Sequence, residues 1–183
     1  MQPQPEIFEQ RGIASKAAGF SLTELMVTLS IAAVLMAIGI PTLRTTVANN
    51  RLSSQAFDLV AALTLSRSQA ITLNQPVTLC RADSETATAC SGSAGTWLFW
   101  IIRTSSGTVV RNGVTQGGSL AVTSTLTDDQ IVFTSDGLAR TNNVLVSGQY
   151  IDVCSDHSTT DNKRQIVLDA GSRVSTIKAS GTC

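Results

Sequence analysis

The sequence predicts an α+β chain: one long N-terminal helix, transmembrane in its first half, packed on a C-terminal antiparallel β-sandwich-like domain. Three observations carry this. From Phe20 to Ile40 the residues are apolar or small, with one charge, Glu24, and no Lys or Arg. Beyond Pro41 apolar residues recur at helical spacing to about Asn74. After Pro76, short apolar runs alternate with turn-rich segments and helical periodicity is lost. At 183 residues, a short tail and a membrane segment leave roughly 140 residues, enough for a single core.

Residues 1–19, with Pro3 and Pro5 in a polar run, read as an unstructured leader. The segment from Phe20 to Ile40, as a helix, spans roughly 30 Å, the thickness of a bilayer's hydrocarbon core. A carboxylate inside it costs about 2.5–3.5 kcal/mol on insertion scales, so Glu24 needs a partner. Three readings compete. An ordinary secretory signal cut after Gly39 has too long an apolar run and leaves Glu24 within it. A plain membrane anchor explains the length and leaves the carboxylate as an unexplained cost. Cleavage between Gly19 and Phe20, with the helix retained, explains both, because it frees an α-amine one helical turn from Glu24. That carboxylate can then neutralise a buried amine, most usefully one on a neighbouring subunit. Leu22, Leu25, Val27, Leu29, Ile31, Val34, Leu35, Met36 and Ile38 give the segment an apolar surface all round, suited to packing among like helices.

Gly19-Phe20-Ser21-Leu22-Thr23-Glu24-Leu25, followed by Pro41, resembles the class III signal sequences of type IV pilins and type II secretion pseudopilins. The resemblance implies cleavage by a prepilin peptidase, N-methylation of Phe20, and extraction from the inner membrane into a helix-cored filament. Ser21 is a departure, since Thr is commoner there.

The helix continues past Pro41 with Leu43, Val47, Leu52, Ala56, Leu59, Val60, Leu63, Ala70 and Ile71 mostly three, four or seven apart, an amphipathic pattern. Residues 20–48 are expected to form the transmembrane and polymerising half, and residues 49–183 a periplasmic globular domain. Pro41 lacks an N–H, so a bend or local melting is expected there. Asn74-Gln75-Pro76 stops the helix. Strands are expected at residues 77–80, 97–102, 120–123, 131–134, 149–154, 165–168 and 173–177. Turns fall between them at residues 91–95, 115–118 and 135–137. The run at 97–102 is apolar on both faces and should be a central or doubly covered strand, with its tryptophans in the core.

Cys80, Cys90, Cys154 and Cys183 form an even set behind a membrane segment, and an oxidising compartment would join them as two disulfides. Of three pairings, Cys80–Cys90 with Cys154–Cys183 closes local loops and is the one favoured. The spacings do not match paired zinc ligands, and His157 is the sole histidine.

The order Val77-Thr78-Leu79-Cys80, Gly95-Thr96-Trp97-Leu98-Phe99, Ile131-Val132-Phe133 with Asp136-Gly137, Ile151-Asp152-Val153-Cys154 and Arg164-Gln165-Ile166-Val167-Leu168 is similar to GspH/FimT-type minor pilins. This resemblance covers nearly all of the chain after Gly19 and implies the pilin fold and other major and minor pilins or pseudopilins as partners. It also implies an inner-membrane assembly platform and membrane lipid before assembly. Pro41 and the paired cysteines point to a type IV pilus rather than to a type II secretion pseudopilin H.

No nucleophile elbow, phosphate loop, dinucleotide fingerprint or H-E-x-x-H appears, so no enzyme, cofactor or metal is expected. His157 reads as a solvated loop residue. Asp156, Asp161 and Asn162 lack the glycine and terminal Glu of a calcium loop. The formal net charge is zero, against a nucleic-acid-binding domain. Some FimT-type members bind DNA through a Gly-Arg-x-Arg motif; the matching stretch, Gly171-Ser172-Arg173-Val174-Ser175, keeps one arginine. Lys163, Arg164 and Lys178 could add charge, but so few cations would bind phosphates weakly and with strong salt sensitivity. A solvated strand edge is the favoured reading of Arg173. A monomeric membrane-anchored adhesin is the alternative from a different class.

Overall fold

The computed structural model describes residues 19–115, 120–156 and 160–183, with residues 41 and 42 as backbone only. The leader, the end of the turn at 115–118 and His157 therefore lie outside the described residues. The chain divides into two compact units between Pro41 and Thr42.

Helix α1 runs Leu22–Leu73, 52 residues. It is helical through position 41, so the expected melting there does not occur. A proline withdraws one N–H from the ladder, and its fixed φ is itself helical. In the first unit Ser21 caps the helix: its Oγ accepts the Glu24 N–H at 3.2 Å. Ser21 and Glu24 stand as N-cap and N3, the spacing of a capping box. Two hydroxyls within the apolar run are answered by the helix itself. Thr28 Oγ1 donates to the Leu25 carbonyl at 2.9 Å and Ser30 Oγ to that of Met26 at 2.8 Å.

In the second unit Ala48, Leu52, Gln55, Ala56, Leu59, Ala62, Leu63, Ser66 and Ala70 are buried, every step one, three or four. Leu43, Val47 and Ile71, expected on that stripe, are exposed. The helix ends in a Schellman motif: the Gln75 N–H donates to the Ala70 carbonyl (3.2 Å), the Asn74 N–H to that of Ile71 (3.3 Å). Asn74 takes φ 51°, a left-handed conformation that asparagine tolerates better than most residues.

Two antiparallel sheets follow. The first has six strands: β1 (Val77–Ala82), β2 (Phe99–Thr104), β3 (Val109–Val114), β5 (Gln130–Phe133), β6 (Ala139–Thr141) and β7 (Val144–Leu145), in the order β3-β2-β1-β5-β6-β7. The second has four: β4 (Leu120–Ser124), β8 (Gln149–Ser155), β9 (Lys163–Asp169) and β10 (Arg173–Ala179), in the order β10-β9-β8-β4. One core joins Leu52, Leu59 and Leu63 of α1 to Leu79, Trp100, Ile102 and Phe133 of the first sheet and Val122, Ile151, Val153, Ile166 and Leu168 of the second. All seven expected strands are present. The sequence reading missed β3, β6 and β7.

The run at 97–102 is corrected at its start. Trp97 lies before β2 and is fully buried, its backbone N–H donating 2.8 Å to the Val122 carbonyl of the other sheet. Inside β2, Trp100 and Ile102 face the main core, while Ile101 joins Cys80 and Ala82 in a second small cluster against Ala87, Cys90 and Phe99. That second cluster explains why the strand is apolar on both sides. Trp100 pairs across the ladder with Gly113 and lies against it. A Cβ on Gly113 would stand 2.0 Å from Trp100 Cζ2, so only glycine admits the ring in this position.

Candidate functional site

Phe20 to Ile40 is apolar and yet almost wholly exposed among the described residues. Its residues are exposed, Ala32 alone being half-buried. An 18-residue window of α1 reaches a mean hydropathy of 2.1, long and apolar enough to cross a membrane. The four hydroxyls of the run are tied up locally: Thr28 and Ser30 on their own helix, Ser21 and Thr23 on each other at 3.0 Å. Glu24 is different. Its backbone N–H is capped, yet no cation pairs with its carboxylate among the described residues. Gly19 and Phe20 precede the helix in non-helical backbone and are exposed, which leaves the bond between them accessible.

The cysteines pair as Cys80–Cys90 and Cys154–Cys183. The first lies over the outer face of β1 and β2. The second anchors the segment after β10, which Asn162 also holds: Asn162 Nδ2 donates to the Gly181 carbonyl at 2.7 Å, and the Gly181 N–H returns to Asn162 Oδ1 at 3.0 Å. A buried carboxylate braces the turn at 91–95. Asp129 accepts the Gly95 N–H at 2.6 Å and the Ser124 hydroxyl, with Arg81 Nε 3.7 Å away. Asp136 is held well below the ordinary aspartate range, first by the Thr134 hydroxyl, then by Arg140 and the Leu138 N–H. Both acids serve loop geometry.

The four basic residues do not form one cluster. Arg173 pairs with Asp169 at one end of the β9–β10 ladder (3.4 Å), whereas Lys178 and Arg164 are cross-strand partners at the other end. Five residue steps along the strand separate Arg173 from Lys178, about 17 Å. Lys163 Nζ lies 3.8 Å from Asp152 on the opposite face to Arg164. Arg164, expected among solvated charges, is buried beside Ile166 and Leu168; its NH1 donates to the Asp161 and Lys163 carbonyls at 2.8 and 3.0 Å. No group of three or more His, Cys, Asp or Glu suited to a metal occurs among the described residues.

Residues 55–172 match the family model described as Type II transport protein GspH, which spans most of the second unit. The chain belongs to the GspH family. Residues 14–40 match the prokaryotic N-terminal methylation motif, which brackets Gly19, Phe20 and Glu24. No curated protein matches the chain. Among solved structures it is similar to the type IV minor pilin FimU of Pseudomonas aeruginosa strain PAO1, at 19% identity and TM-score 0.51, over 70% of this chain and 90% of that one. A second crystal form of FimU aligns at 20% identity and TM-score 0.49, over 69% and 92%. At this identity the likeness shows the fold, which is the pilin fold. GspH-family chains are pilin-type structural subunits; this member has the long N-terminal helix and the methylation motif, and it carries two disulfides.

The sequence reading missed Ser21 as a cap and Arg164 as a buried residue. The Ser-x-x-Glu spacing signalled the first. The alternation of Lys163 to Asp169, which sets Arg164 on the same face as Ile166 and Leu168, signalled the second.

Proposed function

We propose that this GspH-family chain is a minor, non-enzymatic subunit of a type IV pilus. Prepilin peptidase removes residues 1–19 by cutting between Gly19 and Phe20, and Phe20 is N-methylated. Residues 20–48 hold the subunit in the inner membrane as a single pass and later pack in the filament. Residues 49–183 stand in the periplasm, and Pro41 marks the change between the two environments. The observation that carries this reading is Glu24, the one charge on a helix segment that is apolar all round, with no cation paired to its carboxylate among the described residues. In a membrane or helix core an unanswered carboxylate is costly, and the α-amine of a neighbouring Phe20 answers it.

Substitution of Glu24 tests this. Glu24→Ala should leave the protein processed and membrane-bound but deplete it from sheared filaments, because the incoming amine loses its counter-charge. If the variant enters filaments as well as the wild type, the reading fails and a monomeric anchored adhesin takes its place. The family description favours a second reading, a type II secretion pseudopilin H. Deleting the gene and assaying surface pili and secreted enzymes separates the two. Loss of pili with intact secretion supports the pilus; the reverse supports the secretion system.

A further inference from the structure

Strand β10 is the outermost strand of the second sheet, with β9 on one side and, among the described residues, no strand on the other. An open edge presents unpaired N–H and C=O groups to any extended chain beside it. Next to this edge a groove of about 290 Å³ is lined by Ala56 and Phe57 of α1, Thr176, Ile177 and Lys178 of β10, and Arg164 of β9. Its apolar members are under-buried for their size: Phe57 is 69% exposed and Ile177 48%. Its charge is one-sided. Arg164 is only 7% exposed, bonds to two backbone carbonyls, and has no carboxylate partner among the described residues; Lys178 has none either. A buried guanidinium without a counter-charge is costly and favours an anionic occupant.

We infer that this groove and the free edge of β10 receive an extended acidic segment of a neighbouring filament subunit. This rests on the filament reading above. The segment pairs its backbone with β10, as in β-strand addition, and sets a carboxylate between Arg164 and Lys178 with an apolar side chain on Phe57. Lys178 is the gate to the site; Arg164 is its buried end.

The test uses the full chain in the cell that makes it, with the photo-crosslinker p-benzoylphenylalanine in place of Phe57, and separately of Leu35 on the apolar helix. The position-57 crosslink should map by mass spectrometry to an Asp- or Glu-containing stretch of another filament subunit. Its yield should fall about fivefold with Lys178→Glu and persist with Lys178→Arg. Lys178 is exposed, so neither change threatens the fold. A position-57 probe that captures no subunit while position 35 does overturns the groove inference and leaves the filament standing. So does a crosslink indifferent to Lys178→Glu, which would make Lys178 a mere edge guard, or one mapping to nucleic acid. Capture at neither position brings down the filament reading and this inference together.

Discussion

Removing the Cys154–Cys183 bond as the pair Cys154→Ala and Cys183→Ala should destabilise the second unit by about 3.6 kcal/mol. The figure follows from the separation of 29 residues and the loop-closure entropy that the crosslink withholds from the unfolded chain. It corresponds to a several-hundred-fold rise in the unfolding constant. The folded state should change little, because the Asn162 amide still holds Gly181 through two hydrogen bonds. The assay is urea unfolding of the full-length protein in detergent, followed by tryptophan fluorescence, since Trp97 and Trp100 are both buried in the main core. The midpoint should fall, and the slope should rise as the uncrosslinked chain exposes more surface. Reducing the wild type should lower the midpoint further than the double variant does. It also opens Cys80–Cys90, whose separation of 10 residues is worth about 2.7 kcal/mol on the same scale. A cost below about 1 kcal/mol for the double variant would refute the loop-entropy reasoning.

Other consequences of the packing can be checked in the same preparation. Gly113→Ala should cost about 1–3 kcal/mol and shift the tryptophan spectrum, because its Cβ would collide with Trp100; Gly95→Ala, whose Cβ meets only the Arg81 guanidinium at 3.5 Å, should stay near wild type. Leu59→Ala should cost about 2–5 kcal/mol, whereas Phe57→Ala should stay within about 0.5 kcal/mol by urea unfolding. Asp136 should titrate below the ordinary aspartate range by carboxyl-carbon NMR. Its folded pKa is depressed, so its contribution to stability is present above the unfolded value and disappears as the pH falls through the folded one.

Much of this architecture was legible in the residues, for identifiable reasons. Helical spacing continued to Asn74, and the helix ends at Leu73 because Asn74 and Gln75 close a Schellman motif ahead of Pro76. The disulfide pairing followed from local loops. Elements with weak apolar signals escaped notice. β3 is an edge strand whose Arg111 and Asn112 face solvent, and β6 and β7 have three and two residues. Leu43, Val47 and Ile71 matched the helical period but lie where neither sheet covers them in this chain, and spacing alone does not say how far a partner element reaches. Glu24 stood out at once because a charge in an apolar run has no local explanation. The groove beside β10 did not, because it joins Phe57 to residues more than a hundred positions later.

The start of the finished protein decides whether Glu24 has a terminal amine to meet. Intact-mass and N-terminal analysis of the chain recovered from cells should show that it begins at N-methylated Phe20 and retains the apolar helix. A chain that still carries residues 1–19, or one that begins beyond Pro41, would contradict the proposal that Glu24 exists to meet a terminal amine.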